Sequence, residues 1–328
     1  MEILNSYNFV LLGDTSIAGE LGKKGTSSDI TIYDRKTNDK IISYCFPNTY
    51  PEKLQPLLQS VAMSDYAIIN ISKLDTFLGE QLVAVDIFGI KRGFILHSYE
   101  IDAEKIRNII KNTGLSSFVI LDNLDQLKSA IADLGQEQID GAETDFAKEK
   151  ENEKEDGVCV SIDHAFDVKG VGTVVLGSVR QGAIKPYDEL VLYPADKPIM
   201  IKSIQMHDDP VDISKKPSRV GLALKGVSGK DISRGDIIAS SGLAKIAYND
   251  LQVKFIKNQF FKEDLSETQN YMISVGLQIR TVKIKQIADS NLNITFEKPL
   301  AYVRNEKCVL FRPDSKGMRI MGYGIIIE

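Results

Sequence analysis

Residues 7–12 form a short apolar run that ends at Gly13, and a glycine closing a buried strand is a common place for a protein to hold a phosphate. A phosphate-cradling loop there needs the spacing GxxxxGK[ST]. Its glycines let the backbone approach, its lysine meets the phosphates and its hydroxyl meets magnesium. Read without gaps from Gly13, the sequence offers Ala18, Gly19 and Glu20 at the diagnostic positions. The second glycine, the lysine and the hydroxyl are all replaced. A Glu20 carboxylate about 5 Å from a phosphate charge, at an effective dielectric near 20, would be repelled by roughly 3 kcal/mol. A shortened loop is the other alignment, with Thr15 and Ser16 as its hydroxyl end, and it lacks the lysine as well. An ordinary strand-to-helix turn is the third reading of the same residues.

Few other residues have spacing that suggests chemistry. Cys45, Cys159 and Cys308 are far apart, which excludes a CxxC metal site and a disulfide framework and favours a reducing cytosol. His97, His164 and His207 are too few and too scattered for a histidine-rich metal centre, so no metal is expected. No apolar run approaches the roughly 20 residues of a membrane helix, and the first residues lack a secretory leader pattern. A cytoplasmic protein without a membrane partner is expected.

The elements that would carry these residues fall into three groups. The first third alternates strands and helices. Strands are expected at 7–12, 41–45, 66–71, 93–96 and 118–121, and helices at 52–62, 79–88, 103–110 and 124–134. Pro51 suits the start of the first helix, and Pro56 is expected to distort it. This alternation predicts an α/β domain with a mainly parallel sheet and helices on both faces. From Val158 onward the chain is all-β. Strands at 158–162, 172–179, 189–193, 199–205, 219–224 and 236–239 are separated by turns that include Lys185, Pro186, Tyr187 and Asp188. A second β unit has strands at 251–255, 271–277, 280–286, 292–296, 307–311 and 322–327, and two β barrels are expected. The 328 residues therefore divide into 1–136, a linker at 137–156, and barrels at 157–243 and 244–328. The linker holds nine acids and three lysines, a net charge of −6 in a chain whose total is −5. The body is thus nearly neutral, and RNA binding would need a local basic face.

Six blocks in order resemble the second domain of translational GTPases. They begin with Asp163, His164, Ala165 and Phe166, then Lys169 to Gly177, and Gly182 to Lys185. They continue with Ile201 to Gln205, Arg219 to Gly226, and Asp231 to Asp236. Phe296, Glu297, Lys298 and Pro299, with Arg319, Ile320, Met321, Gly322, Tyr323 and Gly324, resemble the third domain. The run Leu21 to Thr31 is similar to a hallmark of archaeal SelB-like factors, including those of EF-Pyl type. SelB delivers a specialised aminoacyl-tRNA. The resemblance implies a G-domain-like fold followed by two barrels, a translation elongation role, aminoacyl-tRNA or tRNA and the ribosome as partners, no DNA, and GTP with magnesium as the family ligand.

Against that family pattern three nucleotide elements are altered. The DxxG segment corresponds to the stretch from Cys45 to Tyr50, with cysteine for the aspartate and asparagine at Asn48 for the glycine. The guanine-reading NKxD becomes His97, Ser98, Tyr99 and Glu100, of which Glu100 could still reach a base. With Gly13, Thr15, Ser16 and Glu100 as a degenerate nucleotide site, a pseudo-GTPase without a bound cofactor is expected. The resemblance places Asp163, His164, Phe166, Thr173 and Arg219 around the tRNA 3′ end. Phe166 would stack on the terminal adenine or else fill the barrel core. His164 would line the pocket or sit at the barrel mouth, Arg219 would pair with a phosphate or end a solvated strand, and Thr173 would be structural. Lys23, Lys24, Lys215, Lys216, Arg312 and Arg319, with Arg304 as a weaker candidate, would touch tRNA backbone. An active GTPase with its lysine supplied from elsewhere, and a protein-binding scaffold, are the alternatives.

Overall fold

The computed structural model describes residues 4–135, 157–288 and 290–327; the acidic segment 137–156 lies outside the described residues. Two compact units are formed. Of the described residues, one contains 4–49 and 64–135, and the other 50–63 and 157–327.

The first unit is built on β1 (Asn5–Gly13), followed by the one-turn α1 (Ala18–Leu21), β2 (Lys23–Ser27), β3 (Ile30–Lys36) and β4 (Lys40–Pro47). Between β4 and β5 (Tyr66–Ile71) the chain makes α2 (Gln55–Ala62), which belongs to the other unit. Then come α3 (Thr76–Phe88), β6 (Gly93–His97), α4 (Ala103–Ile110), β7 (Val119–Leu121) and α5 (Leu124–Asp133). The seven strands lie in the order β2-β3-β4-β1-β5-β6-β7. From β4 to β7 all pairs are parallel, and β2 and β3 are antiparallel additions. Val10, Leu11 and Leu12 on β1 are wholly buried, so the sheet is covered on both faces. On one face Phe9 and Leu11 pack with Leu127 and Ile131 of α5 and Leu21 of α1.

Sequence pattern missed β2 and β3. The five residues of β2 carry no buried side chain, so this edge strand has no hydrophobic alternation to read. Two helix starts also differ from expectation. α3 begins at Thr76, where the Asp75 side chain accepts from the Leu78 N–H at 2.8 Å. α2 begins at Gln55, so Pro56 sits in its first turn, where a proline costs no hydrogen bond, and it does not distort the helix.

One lysine holds the end of α5. Lys40 is 3% exposed, and its Nζ donates to Ala132 O at 2.5 Å and to Leu134 O at 2.8 Å. These carbonyls belong to the last turn and cap of the helix, where no intrahelical N–H remains. Lys40→Met should strand both carbonyls and lower stability by about 2 kcal/mol, read by urea denaturation.

In the second unit β8 (Cys159–Val168), β9 (Gly172–Gln181), the two-residue β10 (Ala183–Ile184), β11 (Glu189–Tyr193), β12 (Lys197–Met206), β13 (Asp209–Val211), the two-residue β14 (Ser214–Lys215), β15 (Ser218–Lys225) and β16 (Ile237–Ala239) make the first barrel. The order β11-β16-β8-β9-β15-β12 closes through the β11–β12 pairing, with β13 appended to β12. After β17 (Ala244–Ala247) come β18 (Asp250–Lys257), β19 (Asn270–Val275), β20 (Gln278–Ala288), β21 (Asn291–Thr295), β22 (Leu300–Val303), β23 (Lys307–Phe311) and β24 (Ile320–Ile327). Six of these close as β18-β21-β20-β19-β23-β24, and β17 pairs with β22 outside that ring. Cys159, Tyr193 and Ile237 of the first barrel pack with Ala244 and Ala301 of the second in one buried cluster. The strand expected at 271–277 stops at Val275, because Gly276 turns the chain with φ +52°.

Glu306 gives the second barrel a pH dependence. Burial pushes its carboxyl up to about 7, opposed by the Val303 N–H that it accepts at 2.8 Å and by the charge of Arg180. The folded chain therefore holds a proton there that the unfolded chain releases near pH 4.5. Stability should fall by about 3 kcal/mol as pH rises from 4.5 toward 7, and Glu306→Gln should flatten that slope in denaturation at several pH values.

Candidate functional sites

At the carboxyl end of β1 the chain turns through Gly13, whose φ is +76°. A Cβ at this position would lie 2.1 Å from Asn70 O, so only glycine fits. Three amides of this turn already donate within the unit. Gly13 N–H donates to Gln81 Oε1 at 3.1 Å, Asp14 N–H to Asn70 O at 2.8 Å, and Ser16 N–H to Asp14 Oδ1 at 2.9 Å. Asn70 Nδ2 returns a bond to Asp14 O at 2.8 Å. Thr15 and Ser16 form a single 3₁₀ turn capped by Asp14. Glu20 points outward and pairs with Lys128 at 2.9 Å. A phosphate placed at this turn would have to displace the Gln81 side chain and the Asp14 cap.

The first barrel gathers a different set of charges. Asp163 on β8 has a side chain only 2% exposed, and both of its oxygens accept from Arg219 on β15, Oδ1 from Nη2 at 2.9 Å and Oδ2 from Nη1. His164 Nδ1 lies 2.5 Å from Asp163 Oδ1. Burial alone would raise the Asp163 carboxyl. The Arg219 charge and the bonds from His164 and Arg219 outweigh it and hold the group well below the usual carboxylate range. Arg234 Nε donates to the Asp163 backbone carbonyl at 3.3 Å, and its Nη1 reaches Gln59 Oε1 of α2 at 3.4 Å. With Nδ1 held against Asp163, Nε2 is the ring nitrogen left for an external group, and the side chain is 23% exposed. Phe166 lies two residues further along β8 and is 44% exposed, which corrects the barrel-core alternative. Thr173 is buried, and its hydroxyl lies 2.9 Å from both Asp167 Oδ1 and Val227 O, away from the Asp163 group. Asp163, His164 and Arg219 are thus brought together. Arg234, which falls in the block of residues 231–236 but is not among the expected pocket residues, joins them.

The fold can be set against solved structures. SelB of Methanococcus maripaludis, solved with the GTP analogue GppNHp, matches at a TM-score of 0.81 and 21% identity, over 100% of this chain and 80% of that one. That likeness is one of fold. The family model for elongation factor Tu domain 2 matches residues 172–239. The uncharacterized protein MJ0325 of Methanocaldococcus jannaschii is 35% identical over 309 residues, covering 94% of this chain and 95% of that protein. The selenocysteine-specific elongation factor of the same organism is 30% identical over 189 residues, 51% of this chain and 40% of that factor. The chain belongs to the translational GTPase superfamily. Within this superfamily it has the SelB and elongation factor Tu architecture, a mixed sheet with helices followed by two closed barrels.

The other superfamily motifs have new partners here. Cys45, where the superfamily has aspartate, is buried with Sγ 3.3 Å from Ser64 Oγ. Asn48, in the glycine position, donates through Nδ2 to Ser28 O at 2.7 Å and to Thr31 Oγ1 at 2.5 Å, tying the end of β4 to the β2–β3 turn. At the guanine-reading position His97 Nε2 and Ser98 Oγ are buried without a hydrogen-bond partner, while Glu100 is exposed and accepts from the Tyr99 hydroxyl at 3.2 Å.

The basic residues nominated for tRNA are dispersed. Lys23 and Lys24 lie on exposed β2, and Lys215 and Lys216 are exposed at β14. Arg304 is exposed on the turn after β22. Arg312 is held by Asp314 and by Glu263, the latter at 2.5 Å. Arg319 donates to Pro51 O at 2.7 Å and covers the Tyr50 ring at 5.5 Å, so it anchors the segment that precedes α2. Among the described residues no cluster could hold a metal ion, and no helix is long and apolar enough to cross a membrane.

Asp163→Asn should cost about 3 kcal/mol in urea denaturation, because Arg219 is left part-buried beside a neutral partner. The depressed carboxyl sets the sign with pH. This stabilisation is present above the ordinary aspartate range and is lost only in strong acid.

Proposed function

We propose that the chain is a SelB-like translation factor that binds tRNA or aminoacyl-tRNA and neither holds nor hydrolyses GTP. The observation that carries the second half is the internal pairing of the Gly13, Asp14 and Ser16 amides, with no lysine in the loop. Phosphoryl transfer needs preorganised donors and positive charge at the phosphates. Here the donors are spent on Gln81, Asn70 and Asp14. The tRNA half is supported by superfamily membership and by the Asp163, His164 and Arg219 group on the first barrel. His164 Nε2 would accept from a donor on the aminoacyl end, Phe166 would stack on the terminal adenine, and Arg219, fixed by Asp163, would face a phosphate or the amino acid. The ribosome is the further partner on this reading, and the cytoplasm its place of action.

Isothermal titration with GTP and Mg²⁺, with ATP as control, should give no heat up to millimolar nucleotide. Micromolar, magnesium-dependent GTP binding would overturn the pseudo-GTPase reading and restore an active GTPase. In gel shifts, tRNA should bind with an affinity that falls steeply with salt, and Arg219→Ala should weaken it about tenfold. Failure of wild-type protein to shift any tRNA would leave the scaffold reading instead.

A further inference from the structure

The turn between β10 and β11 carries a residue its backbone disfavours. Lys185, Pro186, Tyr187 and Asp188 close a four-residue turn, with Asp188 N–H donating to Lys185 O at 3.3 Å. Proline in the second position and positive φ in the third give the type II pattern, whose third position calls for glycine. Tyr187 occupies it at φ +71°. Among the other described residues with positive φ outside glycine are Asp196, His207, Asp208 and Asn305, whose polar side chains tolerate that region far better. The turn is pinned on both sides. Tyr187 N–H donates to Ile201 O at 2.7 Å, Ile201 N–H to Asp188 O at 3.1 Å, and Lys185 N–H to Asp188 Oδ2 at 2.8 Å.

Nothing inside the described structure uses the ring held there. Tyr187 is 74% exposed, and its side chain makes no hydrogen bond, ion pair or ring contact among the described residues. Strain retained for a side chain without internal contacts points to an external one. Its surroundings favour nucleic acid. Lys185 is exposed in the same turn, and Lys215 lies opposite Ala183, two residues before Lys185. Lys202 at the β12 bulge is not counted with them, because its Nζ donates to Val171 O at 2.5 Å. Asp188, the acid within the turn, is occupied by the Lys185 N–H. An aromatic ring on a rigid, convex turn beside lysines is suited to stack on an unpaired base while the lysines meet flanking phosphates.

We infer that the Tyr187 turn is a second RNA contact on the first barrel, separate from the Asp163 group, and that it takes single-stranded RNA by stacking on one base. The test is fluorescence anisotropy of the full chain with a labelled single-stranded RNA 20-mer and with the same sequence as a duplex, alongside melting temperatures. Wild type should bind the single strand more tightly than the duplex. Tyr187→Gly should weaken single-strand binding about tenfold while leaving the melting temperature unchanged or higher, since glycine relieves the turn. Tyr187→Phe should bind like wild type, and Lys185→Ala with Lys215→Ala should weaken binding and flatten its salt dependence. Tyr187→Gly binding within twofold of wild type would overturn the inference and leave the ring to a protein partner. Equal loss in Tyr187→Phe, or no wild-type binding to the single strand, would overturn it as well. Every Tyr187 and lysine variant keeps Asp163, His164 and Arg219 intact, so the tRNA gel shift of Arg219→Ala tests the pocket reading and the single-strand loss in Tyr187→Gly tests this one.

Discussion

A carboxylate almost wholly out of water persists as an anion only when cations and donors surround it, and Asp163 imposes that requirement on the first barrel. It draws a bidentate guanidinium from β15, an imidazole from its own strand and, at its backbone carbonyl, the Arg234 side chain. The identity of each follows from the demand. Arg219 supplies two parallel N–H groups in the fork that a carboxylate accepts, which a lysine cannot do. His164 is held by its Nδ1, which leaves Nε2 for an external group. Arg234 extends the group to Gln59, whose Nε2 in turn donates to Leu277 O of the second barrel at 2.7 Å. One buried charge therefore orders side chains of the first barrel and of α2, and through Gln59 reaches a backbone carbonyl of the second barrel, all inside one compact unit.

The same accounting explains the nucleotide end of the sheet. Backbone amides at a strand end must be satisfied by something. In a phosphate-binding loop the ligand does this; here Gln81, Asn70 and Asp14 do it. The motif has not simply decayed into solvent. Replacement residues have taken up the bonds, and the same holds for Cys45 with Ser64 and Asn48 with the β2–β3 turn. The guanine-reading end is different, since His97 Nε2 and Ser98 Oγ are buried without a hydrogen bond, with Asp122 3.8 Å from the imidazole. Repacking has thus gone further around the phosphate loop than around the base.

Where burial wrote a periodic pattern, the sequence was legible. The buried parallel strands β1, β5 and β6, the amphipathic α4 and most barrel strands follow from apolar runs and turn residues. Edge strand β2 was not legible, because an exposed strand has no apolar face to alternate. β17 and β22 were not legible, because short pieces at the junction of two barrels are shaped by their tertiary partners. The Asp163, His164 and Arg219 group could be nominated only through family likeness, since 56 residues separate the two ends of its ion pair and no local spacing links them. Gln81 gave no signal at all. An amide side chain on a helix looks alike whether it faces water or closes a phosphate loop.

The two halves of the proposed role rest on opposite uses of one rule. At Gly13 the donors are turned inward, which on the proposed reading takes them away from a ligand. At Tyr187 the backbone accepts a disfavoured conformation and gains no internal contact, which leaves a binding capacity unspent. The first is a site closed by satisfied hydrogen bonds, the second a side chain held out by a strained turn. The turn holds a tyrosine where the backbone favours glycine, and the Gly13, Asp14 and Ser16 amides are bonded within the unit. On the proposed reading, binding sits at the surface of the first barrel and not at the nucleotide end of the sheet.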